Sequence, residues 1–509
     1  MIIAKLVEKI DGFIHQLTEK VSFHGGVHPA QNKLMSTHQP IQTAPFAAQL
    51  ILPLNQHIGP ESVPLVQIGQ QVLAGELIAR CAPPLGVPLH APTSGTITDI
   101  GDYPIAHASG IYSRCIVLTP DGLNQMASFT PRSIPTSPQS LKAILLHSGI
   151  IGMGGAGFPS FRKIANKTGQ IHTLIVNGAE CEPFITCDDM LMRERPTAII
   201  EGALMVAHAL GATRVLVGIE DNKPEAALAM KTVYQHATQY PNIQLDIVPV
   251  PTIYPMGGAD QLITQLTAKE VPSDGHSSDL GLIMFNVATL AAVYDAVTVG
   301  NPVLNRVVTI TGFAIEHPCN VLAPIGTPFN HLVTWAGLKQ QDAQWLMGGP
   351  MMGVPVTNFQ SPVIKTTNCI LANPPEPEAE TLPCIRCGAC MDACPIHLLP
   401  QQLYWHAKAG ELEKLEALHL KDCIECGCCA YVCPSHIPLV QYYRHGKVAV
   451  RTANNDKIAA QRAKQRHENQ LARKAAEEQE RSNRLAAKRA AMMAADEAAQ
   501  AAEAPKELR

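Results

Sequence analysis

Two short runs, CIRCGACMDACP at 384–395 and CIECGCCAYVCP at 423–434, constrain this chain more than any other stretch. Each follows Cys-x2-Cys-x2-Cys-x3-Cys-Pro, in which three closely spaced thiolates grip one 4Fe-4S cubane and the fourth reaches the neighbouring one. That rule predicts Cys384, Cys387, Cys390 and Cys433 on a first cluster, and Cys423, Cys426, Cys429 and Cys394 on a second. The same eight thiolates can make two all-cysteine zinc sites. Gly388 and Gly427, each directly after the second cysteine of its run, favour iron–sulfur. A residue without a side chain lets the backbone approach sulfide and turn its amide to the cluster, a demand zinc does not make. Cys428 lies between two ligands and is expected to point away from them as a bystander. The interval 395–422 is apolar at helical spacing (LLPQQLYWHAKAGELEKLEAL) and predicts an inserted helix pair beside the clusters.

At 509 residues the chain exceeds what one core can hold, and several folded units are expected. A hydrophobic content of 46%, 16% charge and 40 prolines suit loop-rich globular domains. The net charge of -4 gives no sign of a nucleic-acid partner, although residues 441–509 alone hold 15 Lys or Arg against 9 Asp or Glu. The N-terminal MIIAKLVEKIDGFIH has acidic residues and no long apolar core, so it does not read as a cleaved signal and the chain is expected in the cytoplasm. In such a compartment clustered cysteines read as metal ligands rather than disulfides. Most of the six scattered ones, Cys81, Cys115, Cys181, Cys187, Cys319 and Cys369, read as small buried hydrophobes. The apolar stretch 280–300 is interrupted by Asn286 and Asp295 and reads as buried secondary structure, not a membrane span.

Composition along the chain predicts a multidomain α/β plus α+β protein. Within 1–128, residues 66–100 alternate apolar and polar residues between Gly and Pro turns. They resemble the biotinyl/lipoyl-type barrel-sandwich hybrid, above all in His90-Ala91-Pro92-Thr93-Ser94-Gly95-Thr96. No lysine lies between Lys33 and Lys142 to carry a swinging cofactor, so the barrel is expected to be a scaffold. After a Ser/Pro linker at 129–140, strand-like 173–176 and 214–219 alternate with helix-like 197–210, predicting an α/β domain over 129–304. Residues 305–372 read as a small α+β unit resembling the β-grasp module. A Pro/Glu linker opens the ferredoxin-type domain at 373–446. Residues 447–509 are helix formers without an apolar stripe, a solvated or disordered tail.

The run Gly152-Met153-Gly154-Gly155-Ala156-Gly157-Phe158-Pro159-Ser160, followed by Lys163, has backbone amides and a countercharge suited to a phosphate. Its spacing is not that of the dinucleotide fingerprint. Asn177-Gly178-Ala179-Glu180-Cys181-Glu182-Pro183 closes a predicted strand, where open α/β sheets bind ligands. Together GMGGAGFPSFRK and NGAECEP resemble the FMN- and NADH-binding subunit of complex I. Adding the barrel and the cysteine runs, residues 20–445 resemble the RnfC/RsxC family, the C subunits of Rnf/Rsx ion-translocating electron transport complexes. Gly25-Gly26-Val27-His28-Pro29, Tyr254-Pro255-Met256-Gly257-Gly258 and Phe285-Asn286-Val287-Ala288-Thr289 belong to the same resemblance.

The resemblance implies that Gly152, Gly154, Gly155, Gly157, Lys163, Asn177, Asn286 and Thr289 face FMN, with Gly257 and Gly258 on its phosphate side. Phe158, Glu180 and Glu182 are implied near NAD(H). It departs at Ala179, where complex I relatives carry an aspartate, and at Ala259-Asp260, where they carry paired glutamates. A flavin that accepts hydride and releases single electrons would join NADH to 4Fe-4S clusters, with no catalytic side-chain base required. The family further implies a peripheral subunit on the cytoplasmic face of the bacterial inner membrane. Its partners would be the other subunits of the complex, including its ferredoxin-like subunit. Two readings compete: a soluble NADH-dehydrogenase or hydrogenase diaphorase-type subunit, and a non-catalytic iron–sulfur scaffold in which the Gly-rich loop is structural.

Overall fold

Short strands punctuated by Gly and Pro between residues 50 and 120 fold as two small sheets. Tyr112–Pro120 pairs antiparallel with both Leu50–Pro53 and Gly95–Pro104, and Gln71–Val72 extends the far edge. Val63–Pro64, Leu77–Arg80 and Leu89–His90 form the second sheet. Leu50, Leu52, Ile78, Ile97, Ile116 and Leu118 fill the barrel, and their cluster runs unbroken into the core of the next domain. Gly95 is required because a side chain there would collide with the Thr119 carbonyl on the partner strand. The chain is a computed structural model describing residues 23–81, 85–107, 109–164, 171–235, 239–377 and 379–502. The N-terminal stretch expected not to be a signal therefore lies outside the described residues.

The α/β domain is built on four parallel strands: β1 (Thr173–Gly178), β2 (Arg214–Glu220), β3 (Gln244–Val250) and β4 (Leu282–Asn286), in the order β3-β2-β1-β4. Near-continuous apolar runs such as TLIV and LIMF are what strands covered on both faces require. Three helices matter for the site: α1 (Cys187–Glu194), α2 (Pro196–Leu210) and α3 (Val287–Thr298). Helix α2 has proline in its first turn and ends on Gly211 at φ 73°, the start and stop expected of those residues. The apolar stretch 280–300 becomes strand β4 and helix α3, and no described helix is long and apolar enough to cross a membrane.

Residues 305–373 form a mixed sheet in which Asn305–Thr311 and Cys369–Asn373 run parallel. Cys319–Pro324, Gln344–Met347 and Val354–Pro355 flank that pair. Phe329–Ala336 is the helix of this unit, and its Phe329, Leu332 and Val333 are fully buried. Gln42–Thr43, from ahead of the barrel, pairs with Cys319–Pro324 and closes one edge.

Two compact units partition the chain, 1–402 with 422–440, and 403–421 with 441–509. In the second, Tyr404 meets Tyr442 edge-on at 4.9 Å between ring centroids. The expected helix pair appears as Pro400–Ala409 and Leu412–Ala417. The tail is one helix, Leu439–Ala502, exposed along most of its length, with i,i+4 pairs such as Arg484–Glu480.

Helices α2 and α3 cross at Gly202, where a methyl group would strike the Leu290 carbonyl. Gly202→Ala should therefore destabilise the α/β domain by about 1–3 kcal/mol through overpacking. Hydrogen exchange in α2 and α3 measures this, and unchanged protection would refute it.

Candidate cofactor sites

The C-terminal ends of β1 and β4 carry Asn177 and Asn286 in register with one another. Asn286 Oδ1 caps α3 by accepting from the Ala288 N–H at 2.9 Å, while its Nδ2 donates to Asp188 at 2.6 Å. Asn177 Nδ2 donates to the Gly257 carbonyl at 2.9 Å, tying the 254–258 loop to the same crevice. A side chain at Gly257 would meet the Ala179 carbonyl, and one at Gly258 the Gln261 side chain.

The Gly-rich loop hangs over these strand ends. Thr289 Oγ1 accepts from the Met153 N–H at 2.9 Å and donates to the Ile151 carbonyl at 3.3 Å, stapling the loop to α3. The Gly152 N–H donates to the Phe158 carbonyl at 2.8 Å, and the Gly157 N–H to the Gly152 carbonyl at 3.1 Å, closing the loop on itself. Gly155 turns at φ 100° and Gly157 at φ 62°. A side chain at Gly154 would touch Asn286, whereas nothing lies within 4 Å of one at Gly155. Gly154 and Gly155 thus present backbone at an exposed face, while Gly157 is buried. Lys163 donates to the Met284 carbonyl at 3.1 Å and lies 5.2 Å from the centre of the Phe285 ring, and burial lowers its pKa. Ser160 Oγ is buried without a hydrogen-bond partner at the end of this loop. Open backbone, a desolvated lysine and an orphaned hydroxyl fit a phosphorylated cofactor such as FMN. Phe158, by contrast, is only half-buried.

Glu180 and Glu182 are engaged within the protein. The Glu180 carboxylate accepts from the Asp188 N–H at 2.9 Å, the Asp189 N–H at 3.3 Å and the Cys187 thiol at 3.4 Å, capping the start of α1. The donor atoms of Glu180, Cys187 and Asp188 lie within 4.8 Å of one another, a spacing a metal could use, but those bonds already occupy both Glu180 oxygens. Glu182 accepts from the Met351 and Met352 N–H groups at 2.6 and 3.0 Å. Sequence reasoning missed what holds this loop. Lys33 is buried and donates to the carbonyls of Glu180, Glu182 and Ile185 at 2.7, 2.9 and 2.6 Å. Lys223, ion-paired with Glu220, also reaches the Glu180 carbonyl. A lone lysine in PAQNKLMS gives no periodic or motif signal for such a role.

In the cysteine module the two runs repeat one backbone conformation. Arg386 and Glu425 have φ of 58° and 57°, Gly388 and Gly427 of 86° and 84°, and His397 and His436 of 53° and 49°. Non-glycine residues rarely adopt this region, so its repetition marks a demand on the backbone rather than chance. The Glu425 N–H points at Cys423 Sγ at 3.4 Å. This repeated conformation, with backbone turned toward sulfur in the second run, fits iron–sulfur clusters. Burial first, then the Cys387, Cys384 and Cys433 thiols, raise the Cys390 pKa. For Cys429 burial again leads, followed by Cys426, Cys423 and Cys394. Cys390 of the first run also acts on Cys429, so the thiols of the two runs lie near one another. Cys394, Cys426 and Cys429 are buried, whereas Cys387 is exposed and Cys384, Cys390 and Cys433 are partly so. Cys428 is buried and directs its thiol to the Tyr254 carbonyl, 3.8 Å away.

Known proteins divide the chain along the same lines. Residues 21–123 match the family described as RnfC barrel sandwich hybrid domain, 145–295 the Nuo51 FMN-binding domain and 383–437 the 4Fe-4S dicluster domain. The Yersinia pestis protein named as the C subunit of an ion-translocating oxidoreductase complex is 45% identical over 464 residues, 89% of this chain and 73% of its own. The chain belongs to that RnfC family. The RnfC proteins of Vibrio cholerae and Pseudomonas aeruginosa are each 46% identical, over 91% and 90% of this chain. The chain spans 60% of the length of each of these two relatives. An FMN-binding domain and a 4Fe-4S dicluster domain are thus present.

Burial, and then the nearby Asp188 charge, raise the Glu180 pKa from 4.5 to about 7, against the opposing pull of Lys33. The folded state therefore holds a proton that the unfolded chain gives up. This group's destabilisation develops as pH rises from the unfolded value through the folded one. Between about pH 5 and about pH 8 the thermal midpoint of wild type should fall further than that of Glu180→Gln. Equal falls would contradict this reading.

Proposed function

We propose that the chain is a peripheral electron-transfer subunit of a membrane-bound ion-translocating oxidoreductase, passing electrons between NAD(H), FMN and two 4Fe-4S clusters. Docking on membrane subunits at the cytoplasmic face, with a ferredoxin-like subunit among the redox partners, completes the reading. The observation that carries it is the unequal burial of the two thiol sets: Cys394, Cys426 and Cys429 inside with Cys423 partly exposed, against Cys387 exposed and Cys384, Cys390 and Cys433 partly so. Such an arrangement gives one cluster to the interior and one to a partner.

Bound FMN would supply the exchange between hydride and single electrons. Gly154 and Gly155 offer backbone to its phosphate and Gly152 and Gly157 shape the loop, with Lys163 as countercharge and Ser160 as an additional donor. Asn177, Asn286 and Thr289 fix the crevice from the strand ends, and Gly257 and Gly258 close it. Glu180 and Glu182 shape the nicotinamide side through the loop they anchor, and Phe158 flanks its entrance. The first cluster would be held by Cys384, Cys387, Cys390 and Cys433, the second by Cys423, Cys426, Cys429 and Cys394. The barrel acts as scaffold, and residues 305–372, with their central parallel strands, form a β-grasp module.

Anaerobic reconstitution with iron, sulfide and FMN should give a chain that binds FMN and whose cluster absorbance bleaches on adding NADH. Failure to bind FMN would favour the non-catalytic scaffold. A free soluble pool with full ferricyanide activity, and no membrane partners in a pull-down from detergent-solubilised membranes, would favour the soluble diaphorase reading.

A further inference from the structure

Tyr254 lies where the crevice loop meets the second cysteine run, in contact with both. Only 1% of its surface is exposed. Its hydroxyl donates to the Cys426 carbonyl at 2.6 Å. Its own carbonyl accepts from the Val27 N–H at 2.8 Å and faces the Cys428 thiol at 3.8 Å, while its N–H donates to the Val27 carbonyl at 3.0 Å. Two residues upstream of Val27, Gly25 approaches Cys394 so closely that a side chain there would lie 2.8 Å from that residue's carbonyl. The Gly26 N–H donates to the Ala393 carbonyl at 3.0 Å, and His24 stacks on His397 at 3.7 Å. Both buried ends of the inner thiol set are thereby held, Cys426 by Tyr254 and Cys394 by the 24–27 strap.

On its other side the Tyr254 loop continues directly into the flavin crevice. The Gly257 N–H donates to Cys181 Sγ at 3.2 Å and its carbonyl accepts from Asn177 Nδ2 at 2.9 Å. Glu182 also lies beside the Tyr254 hydroxyl.

We propose that Tyr254 is a positioning residue for the inner cluster, fixing the Cys426 backbone against the flavin crevice and raising that cluster's reduction potential through its hydroxyl. The sign follows from electrostatics. Reduction adds negative charge to the cluster, and an O–H dipole with its hydrogen on the Cys426 carbonyl offsets the negative end of that carbonyl beside it. Hydrogen bonds and burial are the levers by which a protein tunes such clusters. This inference rests on the two-cluster reading above.

Tyr254→Phe keeps the ring and removes only the hydroxyl. An EPR-monitored redox titration of the holoprotein, with the exposed-set signal identified through Cys387→Ser, reads the two clusters separately. The inner cluster's reduction equilibrium should fall about threefold, a drop of about 28 mV at 59 mV per tenfold for one electron. The outer cluster and the FMN content should stay as in wild type. Unchanged potentials, an equal shift of both clusters, or loss of both clusters with FMN would each overturn the assignment. If the wild type itself lacked two clusters, the reading beneath it would fail instead.

Discussion

The Val27–Tyr254 bridge and the Tyr254–Cys426 hydrogen bond fix the second cysteine run against the loop that borders the strand-end crevice. Three segments far apart in sequence meet there: the strap at 24–27, the loop at 254–258 and the second cysteine run. Each is held in its own way. The strap's two glycines, in left-handed conformation, let it approach Ala393 and Cys394, the loop is held by Asn177 and Cys181, and the run is held through the Cys426 carbonyl. The buried tyrosine carries the join because it offers both a backbone pair and a hydroxyl.

The loop bearing Glu180 and Glu182 depends on a different economy. Its carbonyls point inward, where water cannot reach them, and buried acceptors without donors are expensive. Lys33 answers three of them with one ammonium group, and Lys223 adds a second cation nearby. Burial lowers the Lys33 pKa, Lys223 lowers it further, and Glu180 and Glu220 pull it back up. The carboxylates cap α1 and hold the 351–352 turn, so their influence on a bound nucleotide passes through the backbone they anchor.

The 4Fe-4S dicluster domain, the glycine turns within it, the parallel strands and helix α2 were legible because each rests on local pattern: fixed spacing, apolar runs, or a proline start and glycine stop. The helix pair at 400–417 was visible for the same reason. What escaped was non-local. Lys33, Lys223 and Tyr254 act on groups far away in sequence, and no spacing rule links them to those partners. Gln42–Thr43 likewise joins a sheet whose other strands begin beyond residue 300. Glu180 and Glu182 were recognised as important, but their hydrogen-bond partners, the α1 amides and the 351–352 turn, depend on tertiary placement. Cys428 reads as a bystander in the sequence, yet its thiol packs on Tyr254 and so belongs to the join.

On the proposed reading, electrons from NADH pass the inner cluster before reaching the exposed one. Freeze-quench EPR after mixing NADH with the Cys426→Ser holoprotein tests it most directly, using dithionite to establish that the outer cluster is intact and reducible. The account predicts that NADH reduces this outer cluster far more slowly than in wild type while dithionite still reduces it. Reduction by NADH at the wild-type rate would contradict it.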